Sequence, residues 1–122
     1  MHRIRLTILF MFFCVLSFTQ TIDILNFNSS TDYCPGSGVS VHINPTGVFT
    51  LENAGNLQDL ANNSFILEIS GAGGDWSNPT TLSTVYDFYT PLINGTLPAN
   101  LAAGDYQLRV RSTQPAVTSA ST

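Results

Sequence analysis

The stretch Gly71-Ala72-Gly73-Gly74-Asp75-Trp76-Ser77-Asn78-Pro79 sets the chain's single tryptophan beside a glycine loop, a carboxylate and an amide. An indole at a loop tip, beside Tyr86 or Tyr89, can stack on a sugar face while Asn and Asp side chains take the hydroxyls. The competing role, and the favoured one for Trp76, is packing over a sheet edge. Asp75 with Asn78, or Asp59 with Asn62 and Asn63, offers oxygen ligands of the kind calcium takes. Neither group repeats the acidic spacing of a dedicated calcium loop. Trp76, Tyr86 and Tyr89 are thus the ligand-binding candidates, and Asp75, Asn78 and Asp59 the weak calcium candidates.

Catalytic chemistry finds less support. His42 lies on the outward face of an alternating segment with no second histidine near it in sequence, which makes it a surface residue. Cys34 has no neighbouring histidine or base to lower its pKa and is expected as a buried small hydrophobe. The carboxylates are scattered singly, so no pair specifies a general acid and a general base. Gly71 to Gly74 lacks the lysine and helix of a phosphate cradle and reads as a tight loop. No enzymatic activity and no cofactor are expected.

Charge narrows the partners. The 122 residues hold four arginines, no lysine and eight acids. Nucleic-acid binding through phosphate neutralisation needs clustered Lys and Arg and is excluded. Two of the arginines sit in Met1-His2-Arg3-Ile4-Arg5, ahead of an apolar run from Leu6 to Phe18. With small residues at Ser17 and Thr19, residues 1–19 have the pattern of a secretion signal cut before Gln20. The run is shorter than the ~20 apolar residues of a spanning helix. Phe13, standing before Cys14, does not fit a lipoprotein signal. Cleavage leaves 103 residues, in which Arg109 and Arg111 face all eight acids for a net charge of −6. Cys34 is then the only cysteine, so no intrachain disulfide forms and the fold rests on its core.

The elements that must position these residues are strands. Alternation dominates, and no helical stripe of any length occurs beyond a single possible turn at Asn56 to Ala61. Thr21 to Phe27 is a predicted edge strand with Ile22 and Ile24 inward. Gly38 to Ile43 points Val39, Val41 and Ile43 inward and Ser40 and His42 outward. Phe65 to Ile69 puts Phe65, Leu67 and Ile69 together and turns Glu68 to solvent. Leu82 to Tyr89 is extended. Tyr106 to Arg111 has Tyr106, Leu108 and Val110 inward and both arginines on the other face. Asn44-Pro45-Thr46-Gly47, Gly71 to Gly74, Asn94-Gly95 and Ala103-Gly104-Asp105 have turn chemistry. Closely spaced strands without helices predict an antiparallel sandwich, with a partly open barrel as competitor.

Leu97-Pro98, Leu101 and Gly104-Asp105-Tyr106-Gln107-Leu108 sharpen this to an immunoglobulin-like β-sandwich. They match a corner in which a tyrosine hydroxyl turns back to the upstream backbone. Tyr33-Cys34-Pro35-Gly36-Ser37-Gly38-Val39-Ser40-Val41 resembles the opening of an Ig-like module of large secreted surface proteins of the Bacteroidetes. Phe65 to Ser70, Gly71 to Pro79 and Gly104 to Thr118 resemble its middle and end. The resemblance implies a secreted, cell-surface, non-catalytic module of a gliding-motility adhesin exported by type IX secretion. Its partners would be further modules of the same polypeptide, or surface and secretion proteins, with polysaccharide as a further candidate. The expected organisation is signal peptide 1–19, strand and linker 20–32, Ig-like domain 33–113, and 114–122 as linker or incomplete last strand. Leu51 to Asn63 exceeds the family's usual connection. Ala116 to Thr122 is expected to be too short and polar to cover the last long strand, so either the chain is a fragment or a partner strand completes the sheet. A carbohydrate-binding module using Trp76, and less readily an enzyme accessory fragment, are the other readings.

Overall fold

A computed structural model describes residues 19–47, 49 and 63–122. The predicted signal peptide (but for Thr19), the turn at Asn56 to Ala61, the connection Leu51 to Asn63 (but for Asn63) and Asp59 lie outside the described residues. Among the described residues seven strands follow in order: β1 (Thr21–Asn26), β2 (Gly38–Thr46), β3 (Ser64–Gly71), β4 (Asp75–Tyr86), β5 (Leu92–Thr96), β6 (Leu108–Thr113) and β7 (Ala116–Thr118). They build two antiparallel sheets ordered β1-β2-β5 and β4-β3-β6-β7, the immunoglobulin-like β-sandwich expected. The fourth strand stays beside the third in the larger sheet.

Alternation does the sorting. Ile22, Val39, Val41, Ile43 and Ile93 point inward from the smaller sheet and meet Phe65, Leu67, Ile69, Leu108 and Val110 from the larger. Phe49 packs tilted on Phe65, with ring centroids 5.2 Å apart. The tyrosine corner is present: the Tyr106 hydroxyl donates to the Ala102 carbonyl at 2.9 Å.

Two predicted turns are strand. Asn44-Pro45-Thr46 continues β2, with Pro45 buried opposite Ile22. The proline is tolerated because its nitrogen faces the β5 side, as Ile43 N does in bonding to Pro91 O, and β5 begins only opposite His42. Asn94 and Gly95 lie in β5, opposite Ser40 and Val39. A Cβ on Gly95 would come within 3.0 Å of Leu82 Cβ and 3.2 Å of Leu67 Cδ2, so this glycine serves close packing between the sheets. Gly71 to Gly74 is the tight hairpin expected, with Gly73 and Gly74 at φ of 74° and 78°.

The edge of β6 is covered, contrary to the expectation of an open sheet. Ala116 to Thr118 pair with Thr113 to Arg111. Beyond them Ser119 N donates to Val110 O at 2.8 Å, and Leu108 and Thr122 exchange two backbone bonds at 2.9 and 3.0 Å. Polar residues suffice because the ladder is built from main-chain groups, and the Ser119 hydroxyl accepts from Val110 N at 2.9 Å. A partner strand therefore has no vacant β6 edge to complete.

Candidate functional site

Glu68 is where the structure departs most from the alternation pattern. It sits on the outer face of β3 yet is 3% exposed. The ladder puts it directly opposite Arg109, while Arg111 stands opposite Ile66 one pleat away. Arg109 Nε donates to Glu68 Oε2 at 3.0 Å and Arg111 Nε to Oε1 at 2.6 Å. The Arg109 guanidinium lies 4.1 Å from the centre of the Trp76 ring, a cation–π contact that reaches over β3 from both sides. A bulge delivers the indole: Ile69 and Gly71, two apart on β3, face Thr80 and Asp75, five apart on β4. Trp76, Arg109 and Arg111 thus roof the outer face of β3, which is buried from Ser64 to Ser70.

This placement dismantles the expected sugar platform. One face of Trp76 carries Arg109. Tyr86 lies at the far end of β4, since Asp75 opposes Gly71 while Tyr86 opposes Ser64. Seven steps of β3 at ~3.3 Å separate those two registers by roughly 23 Å. Trp76 is brought to Arg109, not to Tyr86 or Tyr89, and packing over the sheet is its role. Tyr86 is exposed instead at the end of β4, and Phe88 and Tyr89 are exposed in the β4–β5 loop. Buried Asn63 moors that loop, its Nδ2 donating to Asp87 O at 2.9 Å and its Oδ1 accepting from Gln114 N at 3.0 Å.

The calcium candidates are not assembled either. Asp75 Oδ1 accepts from Ser77 N at 2.9 Å. That backbone bond, then the Ser77 side chain, holds the Asp75 carboxyl below the ordinary carboxylate range. Among the described residues no group of three or more His, Cys, Asp and Glu side chains is placed to hold a metal. Asn78 stands on the bulge, exposed. His42 is exposed as expected, but Cys34, expected buried, is an exposed free thiol. It stands in the β1–β2 connection, where its carbonyl, not its side chain, is used, accepting from Ser37 N at 3.1 Å.

A concavity elsewhere among the described residues involves none of these side chains. A cleft of about 420 Å³ opens at the end of the sandwich where β2 begins. One wall is the β1–β2 connection, in which Phe27 and Tyr33 stack at 5.6 Å with planes 10° apart. Asn28 shapes that wall, its Oδ1 accepting from Ser30 N and Oγ at 3.2 and 2.7 Å. The other wall is the β5–β6 connection around Leu101, Asp105 and the tyrosine corner. Core residues Val39, Ile69 and Leu108 form the floor. Asp32 and Asp105 face the cleft from opposite connections, and among the described residues no Lys, Arg or His lines it. In sequence, only the corner tyrosine Tyr106 pointed here, and nothing local joined the two connections.

Fold and surface together define an immunoglobulin-like sandwich module with a braced sheet face and an acidic, aromatic-walled cleft at one end. No protein family, curated protein or solved structure matches the chain. No helix among the described residues is long and apolar enough to cross a membrane.

Proposed function

We propose that the chain is a non-catalytic Ig-like module of a long secreted cell-surface adhesin of the gliding-motility type, exported by type IX secretion and serving structural display and adhesion. The observation that supports this is the path of the backbone. It enters at one end of the sandwich, where Thr21 pairs with Thr46, and reaches the opposite end, where Thr122 pairs with Leu108 beside the cleft. A sandwich threaded end to end transmits the chain axis from one neighbour to the next, as a spacing module must. The composition suits exposure to water: acidic and lysine-free, with Ser40, His42, Asn44 and Thr46 outward in alternation along β2.

The test is surface display in the producing cells. Antibody raised against residues 20–122 is expected to label intact, unpermeabilised cells, and deletion of those residues to reduce attachment to solid surfaces. Labelling only after permeabilisation refutes the proposal.

A further inference from the structure

We infer that the end cleft is a docking site for a cationic side chain, lysine or arginine, of another polypeptide. The inference stands on the cleft alone and does not depend on the adhesin reading.

The argument is one of donors and acceptors. Asp32 and Asp105 present carboxylates from the two facing connections, and neither side chain has a hydrogen-bond or ion-pair partner among the described residues. The Tyr106 hydroxyl gives its proton to Ala102 O at 2.9 Å and the Tyr33 hydroxyl gives its own to Asn28 O at 3.4 Å, so each of these lining residues has only lone pairs left to offer. The remaining polar side chains are the hydroxyls of Ser29, Thr31 and Thr122, which accept as readily as they donate. An acceptor-rich cleft selects a donor-only group, and Lys and Arg are the side chains that donate without accepting. The walls agree. The stacked Phe27–Tyr33 pair offers a π face to a cation, and Leu101 and Ala102 offer apolar surface to its aliphatic stem.

A second copy of this chain is a poor occupant. The sequence contains no lysine. Both described arginines are held on Glu68 at the outer face of the larger sheet, away from the cleft. The described residues of a second copy thus offer no free Lys or Arg to the cleft.

Isotope-labelled Gln20–Thr122, which contains every described strand and the whole described core, is titrated by NMR with N-acetyl-Lys-Lys-Lys-amide at low salt. Shifts are expected at Tyr33, Asp32, Asp105 and Tyr106, and the same peptide with acetylated lysines is expected to leave them in place. The Asp32→Asn/Asp105→Asn double variant is expected to weaken binding about tenfold. Asp23→Asn/Asp87→Asn removes the same net charge elsewhere and is expected to change it by less than about twofold. Equal weakening by the two double variants means attraction by net charge and overturns the site. Spermidine carries the same ammonium chemistry without a peptide backbone. If it binds as tightly as the tripeptide, the assignment to a polypeptide partner is overturned. Preserved amide dispersion in every variant confirms that folding is not the cause.

Discussion

Glu68→Gln is the perturbation that separates a solvent-facing glutamate from the buried one observed. The substitution keeps the size of the side chain and removes its charge, leaving two guanidinium groups with one neutral acceptor between them. Breaking a buried, hydrogen-bonded ion pair by removing one partner costs about 3–5 kcal/mol. Arg109 and Arg111 are 23% and 37% exposed at their side chains, so water screens part of that loss. A destabilisation of ~2–3 kcal/mol is therefore expected, at and just below the lower limit of that range. For a domain of this size the midpoint of thermal unfolding should fall by roughly 10–20 °C. Equilibrium urea unfolding of Gln20–Thr122, followed by Trp76 fluorescence and far-ultraviolet circular dichroism, measures both variants on one scale. The cause is checked by Glu68→Met/Arg109→Met/Arg111→Met, which removes all three charges together. Because the loss comes from orphaned charge, the triple variant is expected to recover most of it. A loss below about 0.5 kcal/mol in Glu68→Gln, the range of ordinary surface substitutions, refutes the brace.

Tyr106→Phe deletes the hydroxyl that bonds Ala102 O at 2.9 Å and should cost ~1 kcal/mol in the same urea assay, while Tyr33→Phe, whose bond is 3.4 Å long, should cost less. Equal losses would count against the corner as a specific contact. Asp75 titrates below an ordinary carboxylate because Ser77 N and then the Ser77 side chain bond its charged form. A depressed folded pKa makes a stabilising contribution that is fully present above the unfolded pKa and is lost as pH falls through the folded one. The Asp75 carboxyl carbon, followed by NMR, should therefore show a midpoint below 3.8, and Asp75→Asn should flatten the acid limb of the stability curve. A midpoint at or above 3.8 would contradict the Ser77 bond.

What the sequence made legible was whatever depends on period and local chemistry. Alternation in Gly38 to Ile43, Phe65 to Ile69 and Leu108 to Val110 named the core residues correctly, because each side chain's face follows from its parity. Gly104-Asp105-Tyr106 named the corner because its hydrogen bond closes over four residues. The failures share a cause as well. Parity put Glu68 on the outer face, which is right, but outer means solvent only if nothing lies above it. The roof is Trp76, Arg109 and Arg111, brought over by a five-for-two bulge and a cross-strand register that no local pattern encodes. Asn94-Gly95 carries turn chemistry, yet its glycine answers to Leu82 and Leu67. The cleft was invisible for the same reason, since Asp32 and Asp105 meet only once β1, β2, β5 and β6 are in place.

The same interactions decide where the module is left able to bind. β7 and the Ser119–Thr122 segment cover β6, and the Trp76–Arg109–Glu68–Arg111 stack closes the outer face of β3. Glu68 also consumes both described cations, so the remaining described carboxylates have no arginine with which to pair. The cleft and the Tyr86–Tyr89 loop stand at opposite ends of the sandwich, where a threaded module meets whatever lies along the chain axis.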